Sequence, residues 1–458
     1  MAVTMKLAAE DIDLPEKREK ITVTVVGCGR VGLATACLFA EVGFKVIGVD
    51  SNRRVVDLLK KSRSPFTESP LREFLEKQVK SSRFTATTSA RKAASASDVI
   101  IISVPTPVDK KKKTDYSHIE KTCREVGMGL RSSSLVIFQS TMGPGMTEIL
   151  AKETFENASG LKAGTGFGLA YCPVFAVPRR TLEDITTRAR VVGAINQQNL
   201  EATCLLLGTI TKGKIVKVRD IKTAEAAELF KKAHQDVNVA LANEFAHFCE
   251  KAGIDFVEAC NAVGSNPHHS LQFSGISEVR ASEDSLLLLE EAEALNVKLR
   301  MLTLARKIND EKLDHTLHLV REALRSCQKP LRRAKISVFG VSSRPNLKEP
   351  RGSSTKKLVN ILKKRGVSVQ VYDPFFSPEE LSKLGYPAKA TLTKTVEGVD
   401  CIIVAVGHDR FRRLNLRRLT VFVKKPAAIV DMGHVIDPAK AEKEGLVYRG
   451  LGRGVWTK

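Results

Sequence analysis

The stretch Val25-Val26-Gly27-Cys28-Gly29-Arg30-Val31-Gly32-Leu33-Ala34 decides how this chain folds. An apolar run over 21–26 leads into it, an apolar helical pattern over 31–42 leads out of it, and Gly43 closes that pattern. Strand, glycine turn and helix in that order form the first half of a βαβ unit, and the run 45–49 supplies the second strand. The three glycines differ in what they do. Gly27 makes the tight turn, Gly29 lets a pyrophosphate approach the backbone, and Gly32 lets helix pack on strand. Arg30 and Val31 open the helix, whose unpaired N–H groups and partial positive charge face the phosphates. Asp50 ends the second strand, where a carboxylate accepts both adenosine ribose hydroxyls and repels a 2′-phosphate. NAD is therefore expected over NADP, although Arg53 and Arg54 pull the other way. A glycine turn kept only for packing is the competing reading.

Working outward, strand-like runs follow at 99–104, 135–139 and 190–193 with helical stretches between them, the alternation of a doubly wound parallel sheet. From 223 to 308 the period becomes that of long helices, over 224–252 and 286–308. Runs at 335–340, 368–372, 401–406 and 427–430 then restart the alternation. The expected fold is α/β, with two Rossmann-like doubly wound domains joined by a helical middle. Its divisions are a polar tail over 1–20, a nucleotide-binding domain over 21–215, helices over 216–330 and a second α/β domain over 331–458. The polar stretch 326–335 is the junction, and Lys110 to Lys113 form a solvated loop tip.

A length of 458 residues suits about three such units at about 150 residues each. With 43% hydrophobic and 27% charged residues, neither a disordered chain nor a disulfide-stapled mini-protein fits. The nine cysteines lack paired CxxC spacing, so neither a zinc site nor a disulfide framework is expected, and no metal is assigned. Glu10, Asp11, Asp13, Glu16 and Glu19 argue against a secretory or mitochondrial presequence. No apolar run reaches the ~18 residues of a membrane span, so no membrane partner is expected and the cytoplasm is the expected compartment. The net charge is +22, of which +15 falls on 331–458, an excess that attracts polyanions.

Eight segments resemble the UDP-glucose/UDP-N-acetylmannosamine 6-dehydrogenase family of nucleotide-sugar dehydrogenases, with the UDP-N-acetylmannosamine subgroup the nearer match. They are VVGCGRVGLATA (25–36), SVPTP (103–107), STMGPGMT (140–147), AYCP (170–173), DVNVALANEF (236–245), ARKIND (305–310), VYDP (371–374) and VYRGLGRG (447–454). They run in family order through nearly the whole chain. The resemblance implies an NAD-binding domain, a helical middle that makes a homodimer or higher homo-oligomer, and a C-terminal domain that binds a UDP-sugar or related nucleotide. It also implies cofactor contacts at Pro105, Thr106 and Thr141.

Family members oxidise a sugar C6 alcohol to a carboxylate in two hydride transfers. A cysteine forms a thiohemiacetal with the aldehyde, because a free aldehyde is a poor second hydride donor. A lysine and an aspartate assist proton transfer and the developing alkoxide, and a glutamate acts as base through water. Here the family's GGxCxPxD segment falls on 277–284: Asp284 is kept, Arg280 stands at the cysteine position, and both glycines are gone. In the CPER segment, Cys172 and Pro173 match, while Val174 replaces the glutamate and Phe175 the arginine. Cys172 belongs to the subgroup pattern alongside the nucleophile and is not read as its substitute.

Lys231 in ELFK resembles the family's helix lysine, with Gln235 where asparagine is usual, but the spacing to Asp236 is about three residues short. In a helix that rotates what precedes it by roughly 300°, leaving a catalytic and a surface lysine as open alternatives. Thr141 either approaches the nicotinamide side or bonds local backbone. The family's FKPxTDDxRxS loop appears over 343–353, with Arg344 in place of the lysine, Arg351 kept, and Leu347, Lys348 and Glu349 in place of Thr-Asp-Asp. Arg344 and Arg351 are the expected pyrophosphate ligands.

Three functional readings follow. The first is a relative that binds NAD and a UDP-sugar with the oxidation impaired. The second is a UDP-sugar dehydrogenase of altered mechanism, using Asp284, Lys231 and Thr141. The third is a polyanion or nucleic-acid binder acting through Arg410, Arg412, Arg413, Arg417 and Arg418.

Overall fold

Strand β1 (Thr22–Val26) ends where the glycine turn begins, and the helix Arg30–Glu41 starts at once behind Gly29. The structure, a computed structural model, describes residues 7, 9–66, 69–109, 112–177, 180–263, 280–350 and 352–456. The chain divides into two compact units, one of Met1–Lys232 with Leu286–Val297, the other of Ala233–Ser285 with Lys298–Lys458.

Among the described residues the first unit forms eight strands: β1, β2 (Lys45–Val49), β3 (Phe84–Thr87), β4 (Val99–Ile102), β5 (Leu135–Phe138), β6 (Gly168–Tyr171), β7 (Arg190–Ala194) and β8 (Ile215–Lys217). They lie in the order β3-β2-β1-β4-β5-β6-β7-β8. Pairing is parallel except between β6 and β7, a departure from the all-parallel sheet expected. Every residue of β4 and β5 is buried, which is why these segments read as continuous apolar runs rather than alternating ones. The helix Arg30–Glu41 is buried from Gly32 to Ala40 and packs on β1 and β2. The strand expected over 99–104 stops at Ile102, because the Val104 amide leaves the ladder and donates to the Ser140 hydroxyl at 2.9 Å.

The second unit holds β9 (Lys335–Phe339), β10 (Ser368–Tyr372), β11 (Cys401–Val404), β12 (Ala427–Asp431) and β13 (Leu446–Gly450), all parallel, in the order β10-β9-β11-β12-β13. Within its own sheet this is the order 2-1-3-4-5, whose switch point lies between β9 and β11. Leu317, Val320, Ala323 and Leu324 of the helix Arg300–Ser326 share a core with Ile336, Val338, Ile403 and Val430 of the sheet.

The helical stretch between the sheets is shared by the two units. The helix Ile221–Ala252 runs 32 residues with no glycine or proline inside it and stops before Gly253, whose φ of +72° ends it cheaply. It is unbroken at Lys231–Asp236, so no local irregularity offsets the three-residue shortening there. The continuous helix expected over 286–308 is instead two, Arg280–Ala294 and Arg300–Ser326, parted at Asn296 with φ +54°. Two of the resembling motifs meet as a helix clamp. Asp236 Oδ1 accepts from Arg306 Nη1 at 2.8 Å and from Asn309 Nδ2 at 2.9 Å, and Asn243 Nδ2 donates to Asn309 Oδ1 at 2.8 Å. Among the described residues, no helix is long and apolar enough to cross a membrane.

Candidate nucleotide and sugar sites

The three glycines differ in what a side chain would meet. Gly27 has φ +97°, and a Cβ there would lie 2.3 Å from the Ser103 carbonyl oxygen. At Gly32 a Cβ would lie 1.9 Å from the Gly27 carbonyl oxygen, so only glycine lets the helix sit this close to the strand end. Around Gly29, exposed at the helix N-cap, a Cβ would meet nothing within 4 Å. Packing therefore explains Gly27 and Gly32 and leaves Gly29 open to a ligand, as a pyrophosphate at a helix N-terminus requires. Arg30 and Val31 follow in the first turn; the Arg30 guanidinium lies 4.9 Å from the centre of the Phe66 ring. Asp50 is half-buried at the end of β2, with Oδ2 accepting from the Cys28 amide at 3.1 Å and Oδ1 from the Asn52 amide at 2.9 Å. These bonds hold the carboxylate at the rim of the glycine turn.

Strand order reverses between β1 and β4, so loops leaving their carboxyl ends flank a crevice. The loop after β4 carries Pro105, exposed, and Thr106, whose hydroxyl donates to the Thr141 carbonyl at 2.7 Å. Thr141 in turn donates its hydroxyl to Glu228 Oε1 at 3.0 Å, and the other oxygen of Glu228 accepts from the Tyr171 hydroxyl. Lys232 Nζ stands 3.2 Å from Glu228 Oε1, so this buried carboxylate is held from three sides. In the sequence Glu228 stands out only as a neighbour of Lys231. Its role shows once the Ile221–Ala252 helix is laid against β6 and the turn after β5.

Lys231 is directed elsewhere: its ammonium lies 3.8 Å from the centre of the Phe175 ring, a cation–π contact. Burial, then Arg188, lowers its pKa. Phe175 and Val174 are both half-buried, and Val174 packs against the apolar core of this unit. Cys172 is fully buried, and its Sγ accepts from Arg190 Nη2 at 3.2 Å. Arg190 is itself buried, with no partner for its Nε and Nη1 among the described residues. Burial pushes the Cys172 thiol up, with Arg190 pulling the other way. Thr141 and Lys231 belong to the first unit and Asp284, half-buried, to the second. Arg351 and the side chain of Arg280 lie outside the described residues.

One turn before Glu228, the buried Glu225 accepts from the Gly145 amide at 2.5 Å and from the Thr147 amide at 2.9 Å. Burial raises its pKa from 4.5 to about 7, against the pull of these donors. The native state then holds a proton that the unfolded chain has released between those values, so stability falls as pH rises through that window, by about 3 kcal/mol in all. Melting temperatures measured from pH 4.5 to 8 are expected to show this fall, and Glu225→Gln to lack that part of it. Parallel curves for the two would refute it.

In the second unit the crevice at the carboxyl ends of β9 and β11 is built on Asp373, whose Oδ2 accepts from the Val341 amide at 2.8 Å and lies 3.2 Å from His408 Nε2. His408 Nδ1 accepts from the Asn346 amide at 2.8 Å, which assigns the proton to Nε2, donating to Asp373. Both side chains are fully buried. They fix the loop that carries Arg344, half-buried. In the same loop Leu347 is buried and Lys348 bonds both oxygens of Glu380 at 2.7 and 2.8 Å. Leu347 and Lys348 are thus engaged within the protein.

Two doubly wound sheets, the first with a dinucleotide cradle and the second with a switch point of its own, define the fold class of the nucleotide-sugar dehydrogenases. The chain belongs to the UDP-glucose/GDP-mannose dehydrogenase family: residues 21–210 match its NAD binding domain, 222–311 its central domain and 337–438 its UDP binding domain. A UDP-N-acetyl-D-mannosamine dehydrogenase of Methanocaldococcus jannaschii is 30% identical over 440 residues, covering 94% of this chain and 96% of its own. One from Pyrococcus horikoshii is 29% identical over 434 residues, covering 94% and 99%. The solved structure of the UDP-D-ManNAc dehydrogenase from Pyrococcus horikoshii superposes with a TM-score of 0.86 at 27% identity, covering 95% of this chain and all of that one. An NDP-N-acetyl-D-galactosaminuronic acid dehydrogenase from Methanosarcina mazei gives 0.80 at 26%, covering 97% and 99%. NAD is the cofactor, and the cradle at Gly27, Gly29 and Gly32 fits it.

Proposed function

We propose that this chain holds NAD and a UDP-sugar but does not carry the family's oxidation through to the acid. The state of the thiols carries this reading. All nine cysteines are buried. Burial raises every one of their pKa values, to about 12 for Cys37 and about 11 for Cys260. A thiohemiacetal needs an accessible thiol that ionises readily, and the position resembling the family's nucleophile holds Arg280. When bound, NAD supplies the hydride acceptor. Gly29, Arg30, Val31, Asp50, Pro105, Thr106 and Thr141 would hold it, and Arg344 and Arg351 would meet the pyrophosphate of the UDP-sugar. Calorimetry is expected to give heat for both NAD and UDP-N-acetylmannosamine, with no NADH formed when they are mixed; no binding of either would overturn the reading.

A second reading rests on one observation. Arg410, Arg412, Arg413, Arg417 and Arg418 are all exposed on or beside two short helices, Asp409–Arg412 and Leu416–Leu419, while Phe411, Leu416 and Leu419 lie in the core. This surface would take a polyanion, and filter retention of RNA that ignores salt would count against it. Self-association is supported by Leu241, Phe245 and Phe248, exposed at helical spacing on the Ile221–Ala252 helix, and a sedimentation experiment returning only monomer would remove it. Nine unpaired cysteines favour the cytoplasm.

A further inference from the structure

Away from both crevices, the second unit gathers three side chains that neither nucleotide site employs. His247 and Glu250 lie three residues apart on the Ile221–Ala252 helix, and His315 comes from the Arg300–Ser326 helix. One ligating atom from each lies within 4.8 Å of the other two. Glu250 is only 8% exposed, and its Oε1 accepts from the Gly452 amide at 2.7 Å. Both of its oxygens lie 3.0 Å from His315 Nε2, and Oε2 lies 3.8 Å from His247 Nδ1.

We propose that His247, Glu250 and His315 bind a divalent transition cation of the zinc class. Two imidazoles and one carboxylate are the donor set that borderline cations prefer, whereas magnesium and calcium require mostly oxygen. Bonds of about 2.0–2.2 Å to a common tetrahedral ion set donor atoms about 3.4 Å apart, so the widest gap closes by up to about 1.4 Å. Rotation of His247, whose side chain is 56% exposed, supplies that movement. The Gly452 amide orients the carboxylate from behind, as an outer partner of a metal ligand does. Glu250 also lines a cleft of about 370 Å³ with Lys251, His318, Glu322, Arg325, Ser326 and Arg449, but the exposed side of His247 is the way in for an ion. His318 stands 3.1 Å from Glu322 and is not one of the three ligands. A bound ion ties the two helices together and, through Glu250, holds the segment after β13.

The test is a calorimetric titration of the full chain with Zn²⁺, beside His247→Ala, His315→Ala and His318→Ala. One equivalent per chain at micromolar affinity or tighter is expected, weakened by about 100-fold or more in the first two variants and kept in the third. Co²⁺ in place of zinc is expected to give a visible absorption band that His247→Ala abolishes. Because His247 is exposed, that variant is expected to melt in metal-free buffer at the native temperature, which separates lost binding from lost folding. Equal affinity in all four proteins, or no heat up to millimolar Zn²⁺, would overturn the assignment.

Discussion

Mixed with NAD and UDP-N-acetylmannosamine, the pure chain is expected to yield no uronic acid and no NADH above a heat-killed control. The size of the effect comes from what has been replaced. In a serine protease, loss of the nucleophile alone costs about 10⁶-fold in kcat, because the remaining groups have nothing to act on. By the family resemblance, Arg280 stands at the nucleophile position and Val174, half-buried against the core, at that of a general base. Among the described residues, two candidate substitutes are already engaged. Cys172 is buried against Arg190, and Glu228, which touches Thr141, is already held by Tyr171 and Lys232. Absorbance of NADH and mass analysis of the sugar read the outcome together. Two NADH per sugar with acid formed would sink the impaired reading. One NADH per sugar with free aldehyde would instead mark a half reaction that stops at the first hydride transfer; Thr141→Ala, Lys231→Ala and Asp284→Asn would then each lower it by about 10²–10⁴-fold.

What the sequence reveals and what it hides divide along the range of the interactions. The turn at Gly27–Gly32 is readable because strand, turn and helix are local, and β1, the helix behind it and β2 fall within a residue or so of their expected bounds. The break at Asn296 is not, because the apolar spacing of 286–308 continues through it while one left-handed residue ends the helix. Glu228 and Glu225 read as ordinary polar positions of a long helix. Only β6 and the turn after β5, distant in sequence, turn them into buried acceptors of Thr141, Tyr171, Gly145 and Thr147. The same holds for His247, Glu250 and His315, which share no motif spacing. Lys231 shows the limit from the other side: its motif is legible, but its neighbour Phe175, at a position where the family has arginine, decides where its charge lies.

The pair Gly32→Ala and Gly29→Ala separates packing from cofactor binding inside one motif. At Gly32 the added methyl would lie 1.9 Å from the Gly27 carbonyl oxygen and 3.3 Å from Ser103 Cβ, and the first of these is backbone at a tight turn. The helix must move off β1, which costs about 3 kcal/mol or more as overpacking and lowers the melting temperature of a unit this size by roughly 6–12 °C. NAD binding falls with it, because the helix N-terminus moves too. At Gly29 the φ of −65° suits alanine and nothing lies within 4 Å of the added methyl, so folding is expected to be unchanged or slightly firmer. That methyl nonetheless occupies the space through which the pyrophosphate meets the backbone, and NAD affinity is expected to fall more than tenfold, about 1.4 kcal/mol or above. Calorimetry with NAD and a melting curve on both variants decide the matter. If Gly29→Ala binds NAD as the native chain does, the open space at Gly29 is not where the phosphates lie, and the motif is a packing device alone.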